Sequence, residues 1–562
     1  MPVDSAKLDR VAKLILADQG SMEAKRQTRE AVTDKLTELF RPRRTDLLNL
    51  KQEGERWGAS IYSDTPAKCL VRWANAFLAS TASRRLDWFR FELPDERTNQ
   101  LDPVQQWLQE CAEQQRNALA RSNFYDALAE FIEDGGCDGN AFMEPIHDQD
   151  LNQAMFETQH PGDVWISRGK YGRINRVHVR KTMTAEQAWA AFGKGDYAEN
   201  LPPELKRHAT EESGNPLSEY EFIHARFENK DRRFGSMLSV DKEFSNVWLC
   251  KTNGKVVEFN GVDRLTLAWT PNKCARNVYG TGLAAYALTA ALMGDALAKK
   301  LIQLVAKMVE PNWKASKTLR GQVDRRPGGI TYVDEAAQIL EQVTDKANWP
   351  IGDEQMQKFD RAIEEWFWLD LFFAMSQLAD QSPKDITAFY ISQLQGEKAQ
   401  ILTSTVSDYE AFLDDVHGFV FDVEMQAGRM PPPPDELLMQ GGGIAIKPSY
   451  IGPLFQIQKE FLKVGPLMKG MDIMERVIAV FPSAADKIDE DQLTEEALDG
   501  VGFPERVQRT DEEVAQVRQA RLEAQQQQEA KEAMMAGVGA LPGLTKKVEK
   551  GSIADSMIGA GA

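Results

Sequence analysis

The chain has 562 residues, of which 42% are hydrophobic and 27% charged, so it is long enough for roughly three or four folding units of a soluble globular protein. Its formal net charge of −18 argues against a protein that grips nucleic-acid phosphates over a broad surface. The five widely spaced cysteines include no CxxC pair, so the sequence indicates neither a disulfide framework nor a zinc module.

The sequence also argues against a secreted or membrane-spanning chain. The N-terminal run MPVDSAKLDR carries charges and no apolar core, so it does not resemble a secretory signal, and we expect assembly in a reducing cytoplasm. The most apolar stretches, 283–298 and 366–378, are shorter than the ~20 residues that a membrane span needs. Asp295 and Asp370 also interrupt them.

The first third of the chain reads as helices with a short strand between them. Residues 5–40 are strong helix formers up to Pro42, which predicts a helical N-terminal arm or wedge. Helical spacing recurs over 68–80 and 103–120, whereas 88–93 (WFRFEL) alternates as a strand does. This region therefore predicts an α+β unit.

The sequence pattern changes between 141 and 269, where short runs of alternating apolar and polar residues are separated by turn residues. This stretch predicts a β-rich body. One helix is embedded in it, because Thr184 and Gln187 form a capping-box pattern before AWAAF. Just before this body, the glycines of DGGCDGN, at 135, 136 and 139, are interpreted as backbone turns.

Two long helices follow. The first, 283–309, would be about 40 Å long and ends before Pro311. Its predicted apolar stripe consists of Leu283, Tyr286, Ala290, Met293, Leu297, Leu301, Leu304, Val305 and Met308. The second, 354–379, contains WFWLDLFFAM, which is apolar nearly all round and must be buried on most faces.

The remainder is predicted to be mainly helical. After the polar break ADQSPKD we expect a helix over 388–426, closed by the proline run at 431–434. A short strand (IAIKPSYI) leads to a helix over 454–481 and a small acidic helix near 491–498. Thr510 caps a last Gln-rich helix over 511–535.

Sequence motifs for catalysis are missing. The sequence has no GxxxxGK[ST] loop, no HExxH and no GxSxG, and its six histidines form no ligand pair on a helix. We interpret the histidines as surface residues of strands and loops. Acidic neighbours such as Glu364 with Glu365, or Asp414 with Asp415, are typical of solvated helix faces. We therefore expect no enzyme activity, no metal site and no cofactor.

Four groups of fragments resemble the head-to-tail connector (portal) family of short-tailed phages. They are IYSDTPAKCLVRWANAFLASTASRRLDWFRFELP; the run from VQQWLQEC through SNFYDALAEF; HPGDVWISRGKYGRINRVHVRKTMTAEQAWAAFG; and a discontinuous group from DITA through GRMPPPP and SYIGPLFQIQK to GFPERVQRTDEEVAQVR. Each fragment is weak alone. Their order and spacing cover most of 30–520, which makes the resemblance specific.

The resemblance implies an α+β, mainly helical portal fold with wing, long-helix stem, small clip and helical crown, assembled as a ring of about twelve copies. The divisions that follow are an N-terminal helical arm and wing (1–280), first stem helix (281–310), clip (311–353), second stem helix (354–379), channel loop (380–387), wing helices and return strand (388–500), crown helix (501–536) and disordered tail (537–562).

The resemblance also suggests functional residues. Candidates for the DNA channel are Lys384, Gln381, Lys299, Lys300 and Lys307; candidates for docking at the clip are Arg320, Asp324, Arg325 and Arg326; candidates for packing between subunits are Trp366, Phe367, Trp368, Phe372 and Phe373. Two alternatives remain open. The helix lysines could form a solvated face opposite the apolar stripe, and the aromatic residues could form an ordinary core within one chain.

The implied partners are other copies of the chain, the terminase large subunit, tail adaptor or nozzle proteins, major capsid and scaffolding proteins, internal core or ejection proteins, and double-stranded DNA passing through the channel. The implied location is the portal vertex of the virion. Two other classes stay open: a metal-dependent nuclease whose acidic ligands are distant in sequence, and a shell or scaffold protein.

Overall fold

The computed structural model describes most of the first half of the chain and several separate later segments. The described residues are 5–42, 60–99, 101–233, 238–274, 276–309, 313–314, 341–342, 349–372, 403–438, 446–459, 465–481, 492–494, 514 and 516–528. The chain divides into two compact units, Met1–Asp489 and Glu490–Ala562. In the second unit, residues 516–528 are helical.

Helices dominate the first unit. They are α1 (Ser5–Phe40), α2 (Thr65–Thr81), α3 (Glu96–Asn99), α4 (Asp102–Arg121), α5 (Phe124–Cys137), α6 (Ala185–Phe192), α7 (Pro203–Thr210), α8 (Leu283–Val309), α9 (Trp349–Trp366), α10 (Thr403–Gln426), α11 (Asp435–Leu438), α12 (Pro453–Lys459) and α13 (Gly465–Val480).

The strands lie mainly between α5 and α8. They are β1 (Phe89–Glu92), β2 (Ala141–Asp148), β3 (Gln153–Gln159), β4 (Val164–Arg168), β5 (Ile174–Thr184), β6 (Glu219–Glu228), β7 (Phe244–Cys250), β8 (Lys255–Val262), β9 (Leu267–Trp269), β10 (Trp313–Lys314), β11 (Glu341–Gln342) and β12 (Lys447–Tyr450). The predicted α+β class, with helix predominating, is confirmed.

The largest sheet is an antiparallel meander in the order β4-β5-β6-β7-β8. A second sheet has the order β3-β2-β9. β1 pairs with β12 in antiparallel register, with Phe89 opposite Tyr450, so a strand near the start of the chain is joined to one that follows α10. The predicted capping box at α6 is confirmed, because the Thr184 side chain and Gln187 each accept from the other's backbone N–H.

An aromatic core joins α2, α5, α10 and β9. Phe77 of α2 stacks on Trp269 of β9 with ring centroids 5.8 Å apart, and it meets Tyr409 of α10 edge-on at 5.1 Å. Phe131 of α5 stacks on Phe412 of α10 at 4.2 Å. All five of these side chains are fully or almost fully buried. Large rings of this kind contribute most of the apolar area that a core removes from water.

Two glycines predicted as turn residues lie inside the last turns of α5. Neither position has room for a Cβ. A Cβ on Gly135 would overlap the Trp269 ring, and a Cβ on Gly136 would overlap the Trp73 ring. Only Gly139 takes a left-handed conformation, with φ of 75°. The prediction of turns is therefore wrong for Gly135 and Gly136. Glycine is required at these two positions because two tryptophan rings pack directly on the helix backbone.

The N-terminal helix packs against other elements of the first unit. Leu8, Ala12 and Ile15 pack under strands β6, β7 and β8 of the large sheet. Further along α1, Leu36 and Phe40 enter the main aromatic core. One helix thus covers two separate apolar clusters.

Helix α9 differs from its prediction at both ends. It begins at Trp349 and ends at Trp366, after which Trp368 takes a left-handed φ of 53°. A bulky residue in that conformation cannot continue a right-handed helix. Residues 369–372 are helical again after this interruption, and the predicted continuation beyond residue 372 lies outside the described residues.

Candidate assembly surface and charged sites

Helices α8 and α9 form an antiparallel pair. Tyr286 near the start of α8 stacks on Trp366 at the end of α9, with ring centroids 5.3 Å apart. Near the middle, a Cβ on Gly294 would lie 3.6 Å from the Cβ of Phe359. Towards the other end, Leu301 of α8 lies against the backbone of α9 near its start. The contacts run in opposite order along the two helices, which fixes their relative direction.

Small residues line the inner face of α8. Ala284, Ala287, Ala291, Gly294 and Ala298 recur at spacings of three and four and are all buried. Such spacing places them on one stripe, and their size lets neighbouring helices approach closely. Besides α9, this helix contacts α1, α2 and α5.

The apolar stripe predicted for α8 is wrong at three of its positions, Tyr286, Met293 and Val305, the last of which is 40% exposed. Tyr286 is 44% exposed and Met293 is 52% exposed, because the alanine and glycine stripe, not the larger side chains, faces the core. The sequence carried a signal for this arrangement in the spacing of its alanines. A prediction from hydrophobicity alone places the larger apolar residues on the buried face instead.

An outward-facing apolar surface results. Tyr286, Leu292, Met293 and Trp366 are each between 43% and 52% exposed, and we call them the outer-face patch. The stacked Tyr286 and Trp366 rings tie its α8 and α9 parts together. Several large apolar side chains exposed on one helix pair are typical of protein interaction sites.

Two of the predicted channel lysines lie further along the same side of α8. Lys299 and Lys300 are both exposed. The Lys299 ammonium lies 5.1 Å from the centre of the Tyr62 ring. One turn earlier, Asp295 accepts hydrogen bonds from the backbone N–H groups of Tyr62 and Ser63, at 2.6 and 3.0 Å. The start of α2 is thereby held against α8, beside the lysines.

Of the residues predicted to pack between subunits, some are buried in the chain's own core and one is exposed on its surface. Phe367 is fully buried and its ring lies 5.7 Å from that of Phe40, within the chain's own core. Phe372 is also buried and Trp368 is half-buried, whereas Trp366 is 45% exposed. Of the described members of this set, Trp366 is therefore the one placed to meet another molecule.

Several predicted site residues have no described position. Lys384, Gln381, Phe373 and the clip candidates Arg320, Asp324, Arg325 and Arg326 lie outside the described residues. Lys307 lies in α8, but its side chain is not described. Within the predicted clip range the structure describes β10 and β11, which pair antiparallel with Trp313 opposite Gln342.

Three histidines are buried, which contradicts the interpretation of all six as surface residues. His178 and His417 have their ordinary pKa lowered to about 3, in each case mainly by burial. Each Nδ1 is hydrogen-bonded to a glutamine side chain, Gln19 for His178 at 3.0 Å and Gln115 for His417 at 2.6 Å. These histidines are neutral parts of the core.

The third, His224, belongs to a buried ionic network in the sheets. Glu144 accepts from Arg226 at 2.6 Å and lies 3.5 Å from the His224 ring. Burial would raise the pKa of Glu144, but His224 and Arg226 hold it well below its ordinary value. Asn246 accepts from Arg226 and is hydrogen-bonded to His224. The charges are therefore compensated by one another, as a structural network requires.

An open cleft lies beside α10. It has a volume of about 690 Å³ and is lined in part by Arg264, Asp415 and Asp422, of which the first and last form an ion pair at 2.8 Å. Burial raises the pKa of Asp415, with Arg264 opposing and Asp414 reinforcing the shift. Within the described ranges, no three His, Cys, Asp or Glu side chains are grouped closely enough to bind a metal ion. The same ranges hold no helix able to span a bilayer.

Comparison with known proteins identifies the family. A family model described as "Bacteriophage head to tail connecting protein" matches residues 12–508. The chain is also similar to a "Probable portal protein" of Bordetella phage BPP-1, at 23% identity over 546 residues, which is 94% of each protein. The match runs through the sheets, the α8 and α9 pair and α10 alike. The chain therefore belongs to the bacteriophage head-to-tail connecting protein family.

Proposed function

We propose that the chain is the subunit of a portal: a closed ring of about twelve copies at one vertex of a phage capsid, through which duplex DNA enters during packaging and leaves during ejection. The observation that carries this proposal is the family match over residues 12–508, supported by the portal relative of nearly equal length.

The outer-face patch supports ring formation. A closed ring uses heterologous contacts, in which one surface of each copy meets a different surface of the next. Tyr286, Leu292, Met293 and Trp366 provide an exposed apolar surface on a rigid pair of helices. Covering it with a neighbouring copy would remove these side chains from water, which is the main driving force of association.

The role is mechanical and not catalytic. In this proposal the ring binds the terminase motor at the clip, 311–353, and later the tail adaptor at the same place. The loop 380–387 lines the channel, with Lys384 and Gln381 facing DNA. Capsid, scaffolding and internal core proteins surround the ring, and the crown helix lies over 501–536.

The first test is the mass and symmetry of the purified chain, by native mass spectrometry and negative-stain imaging. We expect a closed ring with a central hole. A monomer at every concentration would contradict the proposal, and a monomer that cuts DNA with added magnesium would favour the nuclease alternative.

A variant then tests the assembly surface. Leu292→Gln with Met293→Gln should lower the fraction of chain found in rings, since it removes apolar area from the outer-face patch. The matched control is Leu151→Gln with Leu217→Gln, at side chains that are 64% and 71% exposed elsewhere. Equal ring fractions in both variants would exclude the outer-face patch as a subunit contact and leave the portal role intact.

A further inference from the structure

Two loops meet at one edge of the large sheet. One, 169–173, connects β4 to β5, and the other precedes α8. The guanidinium of Arg168 joins them, donating to the carbonyl oxygens of Gly172 at 2.8 Å and Val278 at 2.5 Å and to the Thr270 hydroxyl at 2.8 Å. These bonds fix the two loops relative to each other.

The side chains presented at this edge are mainly cationic. Lys170, Arg173, Lys273 and Arg276 are exposed, and Tyr171 between the first two is 84% exposed. We call these five residues the loop-pair surface. The Lys170 ammonium lies 4.9 Å from the centre of the Tyr171 ring.

Most of the positive charge of the loop-pair surface is not neutralised by ion pairs. Among the described residues, none of its four cations forms an ion pair. Asp408 of α10 lies near enough to act on Lys273 and offsets part of the charge. Several cations elsewhere on or beside the same sheet do form ion pairs: Arg180 with Asp163, Lys181 with Glu157, Lys251 with Glu221 and Lys242 with Asp263.

This composition favours a polyanion over a folded protein partner. A stable protein interface has an apolar centre that excludes water, and Tyr171 is the sole large apolar side chain of the loop-pair surface. Phosphate contact needs no such centre, because lysine and arginine bind the oxygens directly and release counterions. An exposed aromatic ring beside the cations can pack on sugar or base.

We propose that the loop-pair surface contacts the phosphate backbone of duplex DNA. The proposal rests on the portal function above, and adds a contact site outside the predicted channel residues. Because the whole chain has a net charge of −18, the contact is local and sensitive to salt. A local contact of this kind guides DNA without trapping it.

The test measures DNA affinity of the full-length assembled protein with a fluorescent duplex, as a function of salt concentration. Lys170→Gln with Arg173→Gln should weaken binding about tenfold at low salt and reduce the slope of log affinity against log salt by about 2. The matched control, Lys206→Gln with Arg207→Gln, removes the same charge from exposed positions of α7 and should leave both quantities unchanged.

A second readout uses the exposed thiol of Cys274, which lies next to Lys273; the other four cysteines are buried. Bound DNA should slow alkylation of Cys274 in the wild-type protein and not in the Lys170→Gln, Arg173→Gln variant.

The outcomes separate the two proposals. Rings that bind DNA with unchanged affinity and salt slope in the variant would overturn the contact site, as would wild-type rings with no measurable DNA affinity. A variant that loses its ring but keeps its DNA affinity would overturn it too, and would make the surface a contact between subunits. Failure of the wild-type chain to form rings would contradict the portal function alone.

Discussion

At the scale of single residues, the buried histidines have the clearest measurable consequence. His417 lies among Phe89, Trp88 and Tyr450, with ring centroids between 4.2 and 6.0 Å away, and its pKa falls to about 3. In the unfolded chain a histidine titrates near 6.5. Between these two values the unfolded state therefore binds a proton that the folded state does not.

We therefore expect the free energy of unfolding to fall as pH is lowered from 6.5 towards 3, with full stability above that window. Each such histidine contributes up to about 1.4 kcal/mol per pH unit. His417→Leu should make the dependence shallower, and adding His178→Leu shallower again. Thermal unfolding measured across this pH range tests this prediction. Wild type and variants whose stability changes equally with pH would contradict it.

At the scale of elements, the α8 and α9 pair depends on the small residues that face inward. Ala291 is 1% exposed, whereas Ala296 on the same helix is exposed. Ala291→Leu should lower the free energy of unfolding by about 1–3 kcal/mol, because the close approach of the helices leaves no room for the larger side chain.

Ala296→Leu is the matched control, since it makes the same change on the outer face and should alter stability by less than about 0.5 kcal/mol. Chemical denaturation of both variants gives the comparison. Equal losses would mean that the alanine stripe does not form the packed face.

The same elements show what the sequence could and could not predict. The bounds of α8 follow from Leu283, Val309 and the proline after it, because helix formers and breakers act locally. Its inward face does not follow, since whether Ala291 or Met293 is buried depends on a neighbouring helix distant in sequence. The end of α9 at Trp366, followed by the left-handed Trp368, is likewise not marked by any glycine or proline in the sequence.

Some residues of the candidate sites could be predicted from the sequence and others could not. Lysines on α8 could be assigned to a helix surface from spacing alone, and two of them are exposed. The loop-pair surface could not be found, because Arg173 and Arg276 are separated by a hundred residues and their loops are joined by long-range contacts such as those of Arg168 and Lys273. Long-range pairing of loops leaves no periodic signal.

At the scale of the whole molecule, the proposed clip can be tested by deletion. Removing residues 320–329 should abolish binding of the terminase large subunit and of the tail adaptor while leaving rings intact, because the contacts of α8 with α9 lie outside this segment. Pull-down with rings of known mass checks this. A deletion of equal length in the tail, 550–559, is the control, and deleted rings that still bind both partners would contradict the assignment.

The path of α1 has a consequence for how the chain folds during synthesis. Arg26 donates to the carbonyl oxygens of Gly162 and Val164, and Arg29 donates to that of Gly280. These partners of the first helix are therefore made more than a hundred residues later, and Phe367, which packs on Phe40, later still. At ribosomal rates this delay lasts on the order of ten seconds or more. The first helix to leave the ribosome is thus among the last to pack, and its apolar residues stay exposed to water until its partners have been synthesised.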